Sequence, residues 1–205
     1  MKREIVLQTE QVKAILGEAK KANLRDYLLL RTLTVGDFRV GEVVGSAPRR
    51  WLKETKQWEP AEPNLPGLQI QDLREDGVWV QGKGWKKEKN PAPPKLVPLP
   101  LELIKDLQAF IEARRQGRIF ELSEGRVWQL TRFYAQRAGV NDWKLVHPHR
   151  FRHFTTTQIA RKFGVLAARD IARHANISTT NRYVAELPEE EKRKIIQAQE
   201  DLISV

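Results

Sequence analysis

The chain has 205 residues and a hydrophobic content of 40%, enough for one buried core, so we predict a single domain over residues 1–205. Lys and Arg number 36 against 26 Asp and Glu, and the net charge of +10 makes a nucleic acid the leading partner. The sequence has no cysteine, which excludes disulfides, thiol catalysis and thiolate metal sites.

The first predicted elements are helical. Apolar residues recur at helical spacing from residue 9 to 45, with Thr9 as the predicted N-cap and an interruption at Gly36 and Asp37. The segment 46–66 then contains four prolines, which are incompatible with a continuous helix or a central strand. We predict a long surface loop inserted here, and we assign it no role.

A small antiparallel sheet is predicted next. Apolar and polar residues alternate on both sides of an Asp76-Gly77 turn, which is typical of a β-hairpin. The alternating apolar residues are Leu68, Ile70, Val78 and Val80. The segment 95–100, KLVPLP, is the predicted third strand. Before it lies the segment 82–94, GKGWKKEKNPAPP, whose lysines and prolines predict a cationic turn.

Three further helices complete the prediction. One begins at Pro100 and continues through Arg115, and the next spans 123–138. The apolar side of the second helix consists of Val127, Leu130, Phe133 and Tyr134. The last helix covers 188–205, and its apolar stripe packs either on the chain's own core or on a neighbouring molecule. This stripe contains Ile195, Ile196 and Leu202. The predicted fold class is mainly α with a small antiparallel three-stranded β-sheet.

The histidines are concentrated in one part of the sequence. They are His147, His149, His153 and His174, and none precedes position 147. A metal site is one explanation, since histidine is the commonest metal ligand. However, no HExxH pair is present, and nearby acidic partners are limited to Asp142 and Asp170. For His147 and His153, a place in the core is the simpler interpretation.

Four segments carry motifs whose order is informative. HPHRFRH at 147–153 resembles the HPHxLRH box of the tyrosine recombinases, the phage-integrase and Xer family, and RHANISTTNRY at 173–183 resembles their GHxxxxTTxxY box. DFRVGEVVG at 37–45 resembles the GLRxxEL segment that carries the first arginine of the family. The segment 78–100 resembles the strand, GKGxKxR turn and VPLP strand of the same family. Each motif alone is weak, but their joint order makes the resemblance specific.

The resemblance implies the tyrosine-recombinase catalytic domain fold and a set of catalytic residues. These residues are Arg39, Lys83, His149, Arg152, His174 and Tyr183. Two arginines offer planar, always-charged donors to the oxygens of a DNA phosphate, in the place where other enzymes use metal ions. By resemblance, the tyrosine attacks this phosphate and forms a 3′-phosphotyrosyl bond, so we expect neither a metal nor ATP as cofactor.

The other roles follow from the same resemblance. Lys83 protonates the leaving 5′ oxygen, His149 acts as general base or as hydrogen-bond donor to the phosphate, and His174 is a second donor. Glu42 orients an arginine. Lys86 is the alternative to Lys83 as the catalytic lysine. The DNA-binding residues predicted in the cationic turn are Lys86, Lys87 and Lys89.

The chain departs from the family pattern at four positions. Asp37 and Phe38 stand where Gly-Leu usually precedes the first arginine, and Arg173 replaces the glycine before the second histidine. Ala185 stands where a histidine often follows the tyrosine. None of these changes removes a catalytic group.

The resemblance implies site-specific recombination of double-stranded DNA by four protomers. We expect the isolated chain to be a monomer. Residues 188–205 resemble the family's C-terminal segment that docks onto a neighbouring protomer. Two alternatives stay open: nicking and resealing in the manner of a type IB topoisomerase, and DNA binding by the same fold without cleavage.

No N-terminal core-binding domain is recognised, so the chain is either a fragment or a short recombinase. No stretch approaches about 18 apolar residues, so we expect a cytoplasmic protein associated with nucleoid or viral DNA and not with membranes.

Overall fold

The computed structural model describes residues 7–47, 49–52, 54–60, 65–81, 93–173 and 189–204. Its helices are α1 (Thr9–Ala22), α2 (Leu24–Val35), α3 (Val40–Val44), α4 (Leu101–Ile111), α5 (Glu124–Arg137), α6 (Pro148–Phe163), α7 (Val165–Ala172) and α8 (Glu189–Ile203). Its strands are β1 (Arg49–Leu52), β2 (Gln57–Pro60), β3 (Leu73–Arg74), β4 (Gly77–Val80) and β5 (Lys95–Pro98). Within the described ranges, no helix is long and apolar enough to cross a membrane.

Helix α2 is the centre of the core. Leu28, Leu29 and Leu30 are three consecutive residues with no exposed surface. The neighbours of α2 are α1, α3, α4, α6 and α8, which surround it. A helix enclosed in this way has to be apolar on all sides, in contrast to the single apolar stripe of a surface helix. Gly36 then ends α2, and the short connection to α3 carries residues of the candidate site.

Two predicted helix ends are wrong. The N-cap of α1 is Gln8 and not Thr9, because the backbone N–H of Gln8 donates to Oε1 of Gln11 at 2.9 Å. Helix α4 ends at Ile111 and not at Arg115, since the residues after it form turns. Errors of this kind move the end of an element without moving its buried face.

The apolar side of α5 differs from the prediction at one residue. Phe133 is 48% exposed, whereas the other predicted members are buried. Those buried members are Val127, Leu130 and Tyr134. Phe133 lies at the edge of this face, where its ring contacts the edge of Tyr134 and the guanidinium of Arg137.

The predicted three-stranded antiparallel sheet is present, in the order β3-β4-β5. Its first strand is shorter than expected, because residues 70–72 form a 3₁₀ turn and only Leu73 and Arg74 pair with β4. Gly77 begins β4 and does not end the turn: a Cβ there would lie 2.3 Å from the carbonyl oxygen of Val97. Together with the helices, this sheet confirms the predicted fold class.

The proline-rich segment 46–66, for which a long inserted surface loop is predicted, contains a pair of strands. Strands β1 and β2 pair as an antiparallel hairpin within it, with Leu52 opposite Gln57. Pro60 is the last residue of β2, at an end of a two-stranded ribbon, where a proline interrupts no central ladder. The backbones of Ser46 and Leu65 exchange hydrogen bonds of 3.0 and 2.9 Å, which bring the two ends of the segment together.

Helix α8 packs against α1, α2, α6 and β5 of the same chain. Its buried apolar residues are Ile195, Ile196 and Ile203. Leu202, a predicted member of the stripe, is only partly buried. Glu200 forms a buried ion pair with Arg31 of α2, which also contacts Asp106 at 2.7 Å. Docking of this helix onto a neighbouring molecule stays a prediction.

Candidate active site

Helix α6 contributes one wall of a groove of about 400 Å³. Pro148 is its first residue, a position where the missing N–H of proline costs no hydrogen bond. The groove is lined by His149, Arg152, His153, Thr156, Thr157, Ala160 and Arg161. Residues three and four apart lie on the same side of a helix, so the spacing HxxRH places three of these side chains at the groove.

Arg152 is held from two sides by backbone carbonyls. Its Nη1 donates to the carbonyl oxygen of Asp37, before α3, and its Nη2 donates to that of Ala172, at the end of α7. Its side chain is only 3% exposed. Burial lowers the pKa of Arg152 from its usual value, and the nearby charges of Arg39 and Arg173 act in the same direction. The Asp37 carboxylate, 3.9 Å from Nη1, opposes this shift, so the guanidinium is fixed between a buried carboxylate and two further arginines.

Arg39 lies beside this group at the N-terminus of α3. Its backbone N–H donates to Oε2 of Glu42 at 2.8 Å, and its Nη1 donates to Oε1 at 3.0 Å. The Glu42 side chain is 1% exposed, whereas that of Arg39 is 35% exposed. Burial alone would raise the pKa of Glu42, but the charges of Arg173 and Arg39 and the Arg39 backbone N–H bring it below its usual value. Glu42 is thus an ionised anchor for a partly exposed arginine.

Asp37 is a site residue that the family motif does not indicate, because it stands where the motif has a glycine. Its side chain is fully buried and accepts hydrogen bonds from Oγ1 of Thr156 at 3.2 and 3.3 Å. Burial raises its pKa to about 6, although the charges of Arg152 and Arg173 oppose this shift. The available sequence signal was an acidic residue in place of glycine two positions before the predicted catalytic arginine, Arg39.

Arg173 is the second residue of this kind. Its Nη2 donates to Oε2 of Glu42 at 3.0 Å and to the carbonyl of Asp37 at 3.2 Å. Its Nη1 donates to the carbonyl of Gly36 at 3.1 Å. Together with Arg39 and Arg152, it forms a group of three arginines around two buried carboxylates. We refer to Asp37, Arg39, Glu42, Arg152 and Arg173 as the arginine cluster.

Three histidines lie at and after the start of α6, where His147 is the N-cap and His149 and His153 belong to the helix. The ring of His147 stacks on Trp128 with 4.6 Å between centroids, and His149 lies 6.3 Å from His147. Burial, followed by the charges of His153, Arg152 and other neighbours, lowers the pKa of His149. The imidazole of His149 is therefore predominantly neutral at neutral pH and available as a proton acceptor.

The interpretation of His147 and His153 as core histidines was wrong. His153 is exposed, and His147 is half-buried. The buried Nδ1 of His147 has no hydrogen-bond partner among the described residues. Burial, reinforced by Arg150 and other cationic neighbours, lowers its pKa to about 4.

We expect the variant His147→Gln to alter the pH dependence of stability. An unfolded histidine binds a proton below about pH 6.5, whereas folded His147 does so only near 4, so wild-type stability falls as pH decreases through this window. The variant lacks this titrating group. Between pH 7 and pH 5, its free energy of unfolding should therefore fall by roughly 1–2 kcal/mol less than that of wild type. Urea unfolding at both pH values measures this difference. His153→Gln is the exposed control, and equal pH slopes for His147→Gln and wild type would contradict the expectation.

The remaining predicted site residues lie outside the described part of the chain. They are Lys83, Lys86, Lys87, Lys89, His174 and Tyr183. The structure therefore brings together Arg39, Glu42, Arg152 and His149 of the predicted set. Among the described residues, no group of three or more acidic or histidine side chains has an arrangement that could hold a metal ion. The described arrangement can bind an anion through guanidinium groups beside a neutral imidazole.

Comparisons of the sequence with known proteins agree on one family. The model of the phage integrase family matches residues 64–190. Two curated relatives are named tyrosine recombinase XerA: the protein of Thermococcus kodakarensis is 27% identical over 208 residues, and that of Pyrococcus horikoshii is 26% identical over 189 residues. These matches cover 93% and 86% of this chain but only 63% and 55% of the two relatives. The chain thus spans little more than half the length of the curated relatives it matches.

Solved structures give the same result for the fold. The crystal structure of XerA recombinase matches with a TM-score of 0.61 and 21% identity over 97% of this chain and 66% of the other. XerH bound to its difH substrate matches with a TM-score of 0.62 and 16% identity, over 95% and 54% of the two chains. A lambda integrase dimer bound to a COC′ core site gives 0.57 and 14%, over 90% and 63%. The predicted tyrosine-recombinase catalytic fold is thereby confirmed.

Proposed function

This chain belongs to the phage integrase family, and on that basis we propose that it cleaves and rejoins double-stranded DNA as the catalytic part of a site-specific recombinase. The observation that carries the proposal is that Arg152 and a neutral His149 line one groove, and that the partly exposed Arg39 lies close enough for its charge to act on both. Two fixed guanidinium groups and a proton acceptor are suited to phosphoryl transfer without a metal.

In this proposal the scissile phosphate lies in the groove with its nonbridging oxygens toward Arg39 and Arg152. Negative charge on these oxygens must be neutralised in the transition state, and a guanidinium does so with planar, permanently charged donors. Arg152 is positioned in advance by its two carbonyl contacts. Arg39 is partly exposed and anchored by Glu42, so it can contact a bound anion without losing its orientation.

Tyr183 is the proposed nucleophile. Its phenolic oxygen attacks phosphorus and its proton passes to His149, while the bond from phosphorus to the 5′ oxygen breaks. Lys83 protonates the leaving 5′ oxygen, which departs as a 5′-hydroxyl, and His174 donates a hydrogen bond to the phosphate. The 3′-phosphotyrosyl bond retains the energy of the phosphodiester, so religation to a 5′-hydroxyl requires neither ATP nor a metal.

Duplex DNA is the proposed partner. The matched XerH and lambda integrase structures both contain DNA, and a net charge of +10 favours a polyanion. We propose that lysines 86, 87 and 89 contact the DNA backbone, and that residues 1–205 act as one catalytic domain in a tetramer on two duplexes. The isolated chain is then a monomer, located with DNA in the cytoplasm. Topoisomerase-like action is not favoured, because the relatives are named recombinases.

A pool of nicked duplexes with randomised sequence around the nick tests the proposal. Cleavage a few nucleotides from the nick releases a short 5′-hydroxyl strand, so a covalent protein–DNA adduct accumulates and survives denaturation. Mass spectrometry of the digested adduct should find a nucleotide on the peptide that contains Tyr183. Absence of an adduct, or its attachment to another residue, would contradict the proposal.

The DNA recovered from the adduct also separates recombination from its alternative. Two duplexes that carry the recovered sequence and differ in their flanks should yield products with exchanged strands. A topoisomerase-like enzyme would reseal only the original strands.

A further inference from the structure

Two positions of the arginine cluster are unusual both in residue type and in backbone conformation. Asp37 and Arg173 have φ angles of 50° and 53°, in the left-handed region that glycine adopts at little cost. They are also the two positions at which this sequence replaces a glycine of the family motifs. Non-glycine residues with such φ angles are uncommon, and they concentrate at functional sites, where surrounding contacts hold them in place.

The two residues face each other across the site. Nη2 of Arg173 donates to the carbonyl of Asp37 at 3.2 Å, and its positive charge acts on the buried Asp37 carboxylate. The guanidinium also lies over the ring of Phe38, 5.0 Å from its centre. The Asp37 carboxylate lies 3.9 Å from Nη1 of Arg152, and Arg173 adds a second positive charge to that of Arg152.

Arg173 also completes the contacts of Glu42. Oε2 of Glu42 accepts from Nη2 of Arg173 at 3.0 Å and from the backbone N–H of Arg39 at 2.8 Å, while Oε1 accepts from Nη1 of Arg39. Without Arg173, buried Glu42 would lose one of its two cations. A buried carboxylate with fewer partners holds its remaining contacts less firmly, because its charge is then less well compensated.

We propose that Asp37 and Arg173 form a compensating pair in which Arg173 is a positioning residue: it fixes Glu42 and, through Glu42, the orientation of Arg39 toward the groove. This inference rests on the proposed function, because the consequence of the orientation is the rate of DNA cleavage. Arg173 does not contact the phosphate itself. Its terminal nitrogens donate to Glu42, to the backbone of the segment before α3 and to the carbonyl of Ile171 in α7.

The first test compares Arg173→Met with Arg173→Lys and with the control Arg169→Met. Arg169 has the same 14% side-chain exposure and an ion pair of 2.8 Å, but its partner is Asp170 on α7 and not Glu42. The substrate is the nicked duplex recovered from the randomised pool. Single-turnover adduct formation gives the cleavage rate, and fluorescence anisotropy gives the Kd for DNA.

Arg173→Met should slow cleavage by about 100-fold, the effect of misplacing one catalytic group, with less than a threefold change in Kd. Arg173→Lys keeps the positive charge beside Glu42 and should cleave roughly tenfold faster than Arg173→Met. It should remain slower than wild type, since lysine offers a point charge without the planar fork of donors. Arg169→Met should stay close to wild type. A role confined to folding would lower the active fraction of both methionine variants and leave the rate of the folded fraction unchanged.

A double substitution tests the compensation. Arg173→Gly leaves the Asp37 carboxylate buried with less positive charge, whereas Asp37→Gly/Arg173→Gly removes both members and restores the glycines of the family motifs. The double variant should therefore cleave about tenfold faster than Arg173→Gly. If the two residues acted independently, the reductions in cleavage rate caused by the two single substitutions would multiply instead.

Two outcomes overturn the inference alone. In the first, the wild-type protein forms the adduct, and Arg173→Met and Arg169→Met cleave at equal rates. In the second, the loss of cleavage rate in the double variant equals the product of the losses in the two single variants. Failure of the wild-type protein to form any adduct overturns the proposed function, and the role of Arg173 in cleavage with it.

Discussion

Replacing Tyr183 with phenylalanine is expected to abolish the covalent protein–DNA adduct, a loss of at least about 10⁴-fold in the rate of its formation. The chain has three tyrosines, and the two described ones are unsuited to attack phosphorus. Tyr27 and Tyr134 are 7% and 3% exposed, and burial raises the pKa of Tyr27 and raises that of Tyr134 to about 12. A phenol that is buried and harder to ionise is a poor nucleophile. Tyr183 is the tyrosine that the family motif indicates.

The matched control for this experiment is Tyr134→Phe, which also removes one hydroxyl. The hydroxyl of Tyr134 donates to Oδ2 of Asp26 at 2.9 Å, so its loss should reduce the free energy of unfolding by about 1–3 kcal/mol. The cleavage rate of the folded fraction should remain that of wild type. Tyr183→Phe should in turn keep the wild-type Kd for DNA, because phenylalanine retains the ring. Adduct formation by Tyr183→Phe would remove Tyr183 from the mechanism, and loss of the adduct in folded Tyr134→Phe would show that the loss is not specific to Tyr183.

The sequence predicted the helices and the three-stranded sheet because their apolar periodicity is regular. It did not predict the β1–β2 hairpin, since four prolines in 46–66 exclude a continuous helix and a central strand and favour a surface loop. That argument holds for central strands. A two-stranded ribbon has no central strand, and Pro60 lies at its end. The number of strands that will pair is a property of the tertiary structure and is not contained in the local pattern.

The motifs predicted the part of the candidate site that consists of recurring residue types. Arg39, Glu42 and Arg152 do lie together, although a resemblance cannot say how their charges are balanced. Asp37 and Arg173 could be noted only as departures, because they are distant in sequence and their contact depends on how α7 ends beside the segment before α3. Two departures involving opposite charges within one set of motifs are a signal worth testing for proximity in other sequences.

We expect Arg152→Lys to slow adduct formation by about 10²–10³-fold, although the positive charge is retained. The two terminal nitrogens of Arg152 each donate to a backbone carbonyl, that of Asp37 or that of Ala172. A guanidinium has five N–H donors, so three are left for a phosphate. A lysine ammonium has three donors in total and cannot reach both carbonyls and a phosphate with one nitrogen. The lysine must therefore lose either its contacts with the two backbone carbonyls or its contact with the phosphate.

Arg31→Lys is the control that separates this effect from the cost of changing a buried arginine. Arg31 is 8% exposed and pairs with Glu200 and Asp106 at the contact between α2 and α8, away from the residues that line the groove. Both variants should unfold at lower urea concentration than wild type, since each loses contacts of a planar donor group. Single-turnover cleavage, corrected for the folded fraction, should fall only in Arg152→Lys. Because lysine supplies the same net charge, a slow Arg152→Lys would show that the phosphate requires directed donors and that a positive field alone is insufficient. Equal rates for the two variants would instead assign Arg152 a purely structural part in holding α6 and α7 against the segment before α3.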